Sequence, residues 1–153
     1  MKLYLDNCSY NRPFDNQNQM RIYLETQAKL HIQKLIQAGS LLLAVSYVSR
    51  YENGNSPHSK NKITIEKFFG NATTFVDIDK ADIIETKANE IMQYGVKAKD
   101  ALHISCAIEA KCDYFITTDD GILKKYKVGE IKVCSPVEFV NIWEDFLCKT
   151  QQP

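Results

Sequence analysis

"KAKDALHISCAIEAKCDYFITTDD" (residues 97–120) decides how the rest of the chain is read. Its first half carries Ala101, Leu102, Ile104, Ser105, Ala107 and Ile108 at helical spacing. Its second half, "DYFITTDD", is a short apolar run that ends in acids and reads as a buried strand. A helix feeding a strand with no polar alternation is the repeating unit of a parallel sheet covered on both faces. Asp100 stands at the amino end of the helix. Asp119 and Asp120 stand past the carboxyl end of the strand.

The same alternation extends in both directions. "KLYL" (2–5) reads as a strand that runs straight into Asp6, followed by a polar stretch, "NCSYNRPFDNQNQ" (7–19), expected to be a loop. Residues 20–39 form a helix closed by Gly39, and "LLLAV" (41–45) is a buried strand. "SYVSRYEN" (46–53) reads as a short helix capped by Ser46, and Gly54 to Pro57 breaks it. Helices follow over 60–70 and 79–95, with a strand, "TTFVDI" (73–78), between them. Beyond Asp120 come a helical turn (121–126), a strand (130–135) and a last helix with Pro136 in its first turn. The expected fold is α/β, a parallel sheet between two helical layers. A single domain is expected over 1–147, with a tail at 148–153.

The 153 residues suffice for one domain with a proper core. Nineteen basic and nineteen acidic residues give zero formal net charge, which argues against coating nucleic acid by bulk charge. No apolar run is long enough to span a bilayer, so no membrane association is expected. Asp6 comes too early for a signal-peptide core, and a cytoplasmic location is expected. Five cysteines without a C-x-x-C pair read as reduced, packed thiols.

In parallel sheets, ligands bind beyond the carboxyl ends of the strands, where strand order reverses. Asp6 and Asp119 end strands, while Glu52 and Asp100 sit on helices that lead to or from them. Two carboxylates in close contact repel by about 4 kcal/mol at an effective dielectric near 20. Such a cluster needs protons or divalent cations to neutralise it, and hard oxygen donors suit Mg²⁺ or Mn²⁺.

Taken together, "LYLDNCSYNRPFD", "SYVSRYE", "YGVKAKDALHISCA", "DYFITTDDGILKK" and "SPVEFV" resemble the PIN domain of VapC-type toxins, over nearly the whole chain and in the expected order. The resemblance implies a three-layer α/β/α fold and metal-dependent hydrolysis of RNA phosphodiesters. It places the acidic quartet on Asp6, Glu52, Asp100 and Asp119. Asp6, Asp100 and Asp119 would be direct or water-mediated ligands of Mg²⁺ or Mn²⁺, and Glu52 would orient the water or support those ligands from outside. Asn7, Ser9, Thr117 and Asp120 would be supporting polar groups. Arg12, Lys97, Lys99 and Lys124 are candidates for phosphate contacts. The resemblance also implies an antitoxin partner and a homodimer.

Each reading has an ordinary competitor. Asp100 could serve only the positive end of its helix, and Asp119 or Asp120 could only cap the next one. Glu25, inside a long helix, reads as part of a solvated face. His103 shares a helical side with Asp100, and a satisfied, partly buried histidine is expected there rather than a transition-metal ligand. Cys8 reads as packed rather than ligating. Phe139, Trp143 and Phe146 read as core or interface packing rather than base stacking. At the level of function, the alternative to a nuclease is a catalytically silent PIN-fold module that binds RNA or protein. A phosphotransfer protein of the receiver type fits poorly, because Asp6 lies on the first strand and "TTDD" comes late.

Overall fold

The computed structural model describes residues 1–127 and 129–150. Five strands form one all-parallel sheet: β1 (Lys2–Leu5), β2 (Leu42–Ser46), β3 (Thr74–Val76), β4 (Tyr114–Ile116) and β5 (Lys132–Cys134), in the order β3-β2-β1-β4-β5. Parallel neighbours need crossover connections, and helices supply them. Helices α1 (Asn7–Asn11) and α2 (Met20–Gln37) lead to β2; α3 (Tyr47–Gly54) and α4 (Ser59–Phe69) lead to β3. Helices α5 (Ala81–Met92) and α6 (Ala98–Glu109) carry the chain back across the sheet to β4. Helix α7 (Asp120–Lys125) leads to β5, and α8 (Pro136–Thr150) follows it.

The pleat divides the core in two. Leu3 and Leu5 point to one face with Leu43, Val45 and Ile116, against Ile32 and Ile36 of α2, Phe68 of α4, and Phe139 and Trp143 of α8. Tyr4, Ala44 and Phe115 point to the other, against Ile84 and Ile91 of α5 and Ile104 and Ala107 of α6. The sheet is thus the middle of three layers, as the apolar strands anticipated. All five cysteines are free thiols. No helix among the described residues is long and apolar enough to cross a membrane.

Strand order reverses at β1. The chain steps from β1 to β2 and β3 on one side, then returns to place β4 and β5 on the other. A crevice therefore opens past the carboxyl ends of β1 and β4. The backbone N–H of Asp6 donates to the Ile116 carbonyl at 2.9 Å, so the β1–β4 ladder continues to that edge.

Three expectations need correction. The segment after Asp6 is not a plain loop: it forms α1 and a 3₁₀ turn over Arg12–Phe14. Asp6 caps α1, its Oδ1 accepting from the Asn7 N–H at 2.7 Å, and the buried Ser9 hydroxyl donates to the Ile116 carbonyl at 3.1 Å. Five residues are too few to show a helical period, so only the cap and the tertiary bond reveal the helix. Glu25 is buried rather than solvated, paired with Arg12 and Arg21 at 2.9 Å each. Finally, α8 runs through Cys148–Thr150, the first half of the expected tail; residues 151–153 lie outside the described residues.

Candidate active site

Asp6 follows β1 directly and is buried. Its Oδ2 accepts from the Thr117 hydroxyl at 2.8 Å and from the Cys8 thiol at 3.1 Å. Burial, then the Asp6 charge, pushes the Cys8 thiol up to about 12, which keeps it protonated as a donor rather than a ligand. Thr117 extends past β4, fully buried, and its hydroxyl also accepts from the Asp119 N–H at 3.1 Å. One threonine side chain thus ties the carboxyl ends of the two central strands to the next acid.

Asp119 is the N-cap of α7, its Oδ1 accepting from the Gly121 and Ile122 N–H groups at 2.6 and 3.3 Å. Asp100 lies in the first turn of α6, where the helix dipole favours a negative charge. Gly95, with φ +82°, closes the turn after α5 and lets the chain swing into α6. Asp100 and Asp119 face one small crevice with Lys97, Ile122 and Lys125. Burial raises the Asp100 carboxyl above its ordinary range, and the Asp6 and Asp119 charges raise it further. Three acids from three separate elements therefore act on one another electrostatically at the strand-order reversal.

Glu52 approaches from α3. Its Oε1 pairs with the Lys99 ammonium at 2.7 Å, and its Oε2 accepts from Nε2 of the buried His103. Burial by itself would raise this carboxyl, but the bonds from His103 and Lys99 outweigh it and hold it at about 2. Glu52 and Lys99 border a neighbouring groove of about 560 Å³ that also presents Asn7, Asn11, Tyr51 and Leu102. Asn7 Oδ1 is buried there without a hydrogen-bond partner among the described residues.

The outer candidates are placed less uniformly. Lys97 borders the Asp100–Asp119 crevice. Lys99 is engaged by Glu52, and Arg12 by Asp15 and Glu25. Asp120 is exposed and bridged by Arg21 at 2.6–2.8 Å, and Lys124 acts electrostatically on Asp120, away from Asp6. His103 is satisfied by hydrogen bonds, as its sequence reading expected, and is buried more fully than that reading had it. The spacing Asp100-x-x-His103 was the available signal, but its partner, Glu52, lies 51 positions away in sequence.

Among the described residues, no group of three or more His, Cys, Asp or Glu side chains is placed to hold a metal ion. The donor chemistry nevertheless fits a hard divalent cation. The carboxylates of Asp6, Asp100 and Asp119 repel, Asp100 is raised by its neighbours, and no thiolate or imidazole competes at the crevice.

This architecture and site define an α/β protein of the PIN-domain fold, as the sequence resemblance anticipated. The chain is similar in structure to a chain of VapBC2 from Rickettsia felis, solved bound to a DNA fragment from their promoter; identity is 16%, the TM-score is 0.54, and the match covers 88% of this chain and 98% of that one. It is similar also to a chain of FitAcB from Neisseria gonorrhoeae, at 14% identity and a TM-score of 0.54, covering 88% and 97%. No protein-family profile matches the sequence, and no curated protein matches it.

Proposed function

We propose that the chain is a Mg²⁺- or Mn²⁺-dependent endoribonuclease of the PIN type and the toxin of a toxin–antitoxin pair, folded as a single nuclease domain. The observation that supports this reading is that Asp100, which shares a crevice with Asp119, is raised by the Asp6 and Asp119 charges beside the strand-order reversal. A cation relieves that repulsion. Asp6, Asp100 and Asp119 would hold it, and when bound it supplies Lewis-acid stabilisation and a more acidic water.

The protein's own groups set the rest. Thr117 and Cys8 donate to Asp6 and fix its direction. Held near 2, Glu52 is a weak base but a constant hydrogen-bond acceptor, so its role is to orient the attacking water rather than to take its proton. Lys97 at the crevice rim holds a phosphate by charge, which positions a strand without reading its sequence. Lys99 can join it only by leaving Glu52, and Arg12 and Lys124 lie further out as phosphate contacts. The groove beside Glu52, with the exposed Tyr51 ring, suits a flanking nucleotide. The likeness to chains of VapBC2 and FitAcB supports an antitoxin as the protein partner, and the family resemblance adds a homodimer and action in the cytoplasm.

The test is cleavage of a mixed single-stranded RNA panel with Mg²⁺, Mn²⁺ or EDTA, beside Asp100→Asn. Cleavage that needs metal and disappears in the variant is expected. Tight RNA binding by wild type without metal-dependent turnover would replace the nuclease by a binding module of the same fold.

A further inference from the structure

His103 is 1% exposed, yet it carries two polar partners on opposite ring nitrogens. Nε2 meets Glu52 Oε2, and Nδ1 lies 2.8 Å from the hydroxyl of Tyr4, which is fully buried on β1. That hydroxyl also lies 2.7 Å from Ser46 Oγ and 2.7 Å from Ser49 Oγ. For a neutral ring, the hydrogen count sets the tautomer. An ionised carboxylate only accepts, so Nε2 carries a hydrogen. Tyr4 has one hydrogen and three partners. Both serine hydroxyls can donate to its two lone pairs, so its own hydrogen goes to Nδ1. Ser46 is held for this by its cap role on α3, its Oγ accepting from the Ser49 N–H at 3.2 Å. Every polar atom of a buried network spanning β1, β2, α3 and α6 is then satisfied, the condition under which such a network rigidifies a structure.

The two oxygens of Glu52 are gripped unequally. His103 holds Oε2 from inside the core, whereas Lys99, with a side chain 64% exposed, holds Oε1 from the groove side. A phosphate arriving at the groove can draw Lys99 away. Nothing from solvent reaches His103.

We propose that His103 is a positioning residue of the acid site: Tyr4 fixes it as the Nε2–H tautomer, and that N–H pins Glu52 by Oε2 so that Oε1 is the oxygen offered to the groove. The functional consequence rests on the nuclease reading; the tautomer and the contact do not. Groups that orient the residues of a metal site from outside typically contribute about 10–100-fold to metal affinity or activity.

The experiment has two arms on the full chain. In the first, ring ¹⁵N NMR of histidine-labelled protein, assigned by loss of one signal set in His103→Gln, is expected to show His103 with hydrogen on Nε2 and a bare Nδ1. Tyr4→Phe should convert it to a mixture of ring states. A wild-type ring protonated on Nδ1 or on both nitrogens overturns the proposal, as does an unchanged ring in Tyr4→Phe. In the second, metal-dependent RNA cleavage by His103→Ala is expected to lose about 10–100-fold in kcat with KM little changed, and His103→Gln, which restores an N–H, to recover part of it. An unaltered kcat in the folded Ala variant, checked by thermal melting, overturns the positioning role. If wild-type protein cleaves no RNA, the nuclease reading fails, and the NMR arm still decides whether Tyr4 sets the His103 tautomer.

Discussion

Asp100 shows how one residue can serve a site at the expense of the fold. Its folded carboxyl is raised by burial and by the Asp6 and Asp119 charges. Between the ordinary carboxylate range and that raised value, the folded state binds more protons than the unfolded chain. Its contribution to stability therefore falls as pH rises through the window, and above it the ionised group opposes folding. Asp100→Asn should accordingly melt above wild type at neutral pH without metal. The group is only half-buried and solvent screens it, so the expected gain is small, about 2–4 °C. Mn²⁺ should raise the wild-type melting temperature and narrow the difference, because the cation relieves the same repulsion. A variant that melts lower than wild type in EDTA would remove the electrostatic argument for the site. Asp6 differs in kind: three donors already satisfy it, so it anchors the cluster rather than straining it.

Among the elements, α2 is tied to the site by charge rather than by its apolar stripe. Glu25 lies buried between Arg12 and Arg21, and Arg21 reaches on to Asp120 beside the Asp119 cap. Glu25→Ala would leave the Arg12 guanidinium, with its side chain only 18% exposed, short of one partner. Breaking one side of a buried pair costs about 3 kcal/mol, and a matching fall in the urea midpoint is expected. Arg21→Ala should cost far less, because its side chain is 55% exposed. Equal losses in the two variants would mean that Glu25 matters only through Arg21. Helix periodicity could not reveal this, since it sorts residues by polarity, and a buried acid with two arginine partners has the same polarity as a solvated one.

For the molecule as a whole, one lysine interrupts the apolar core on the α2 side of the sheet. Lys29 of α2 is 4% exposed, with its ammonium 5.6 Å from the centre of the Tyr10 ring and 6.0 Å from that of Phe68. Burial lowers it to about 8. Between about pH 8 and 10 the unfolded chain binds more protons, so stability should rise with pH across that window. Below pH 8 the charged form carries a constant penalty. Lys29→Met should remove the slope and stabilise the protein at pH 7 by about 1–3 kcal/mol, read from urea unfolding at pH 7 and pH 9.5. A flat wild-type profile over that range would show that Lys29 keeps its ordinary affinity for protons.

The sequence by itself determined the layered α/β architecture, because apolar runs without alternation are stable only with both faces covered. It also marked Asp6, Asp100 and Asp119, since an acid at a strand end or a helix start is visible in local pattern. Of the aromatics read as packed in the last helix, Phe139 and Trp143 are buried, whereas Phe146 is exposed. The tertiary structure alone decided that β1 lies between β2 and β4, which brings Asp6 and Asp119 to one edge. It alone joined His103 to Glu52 and Tyr4, Glu25 to two arginines, and Lys99 to Glu52. The division has one physical cause. Periodicity and capping are set by residues within a few positions of one another, whereas the state of a buried polar group is set by whichever partner the folded chain brings to it from far along the sequence.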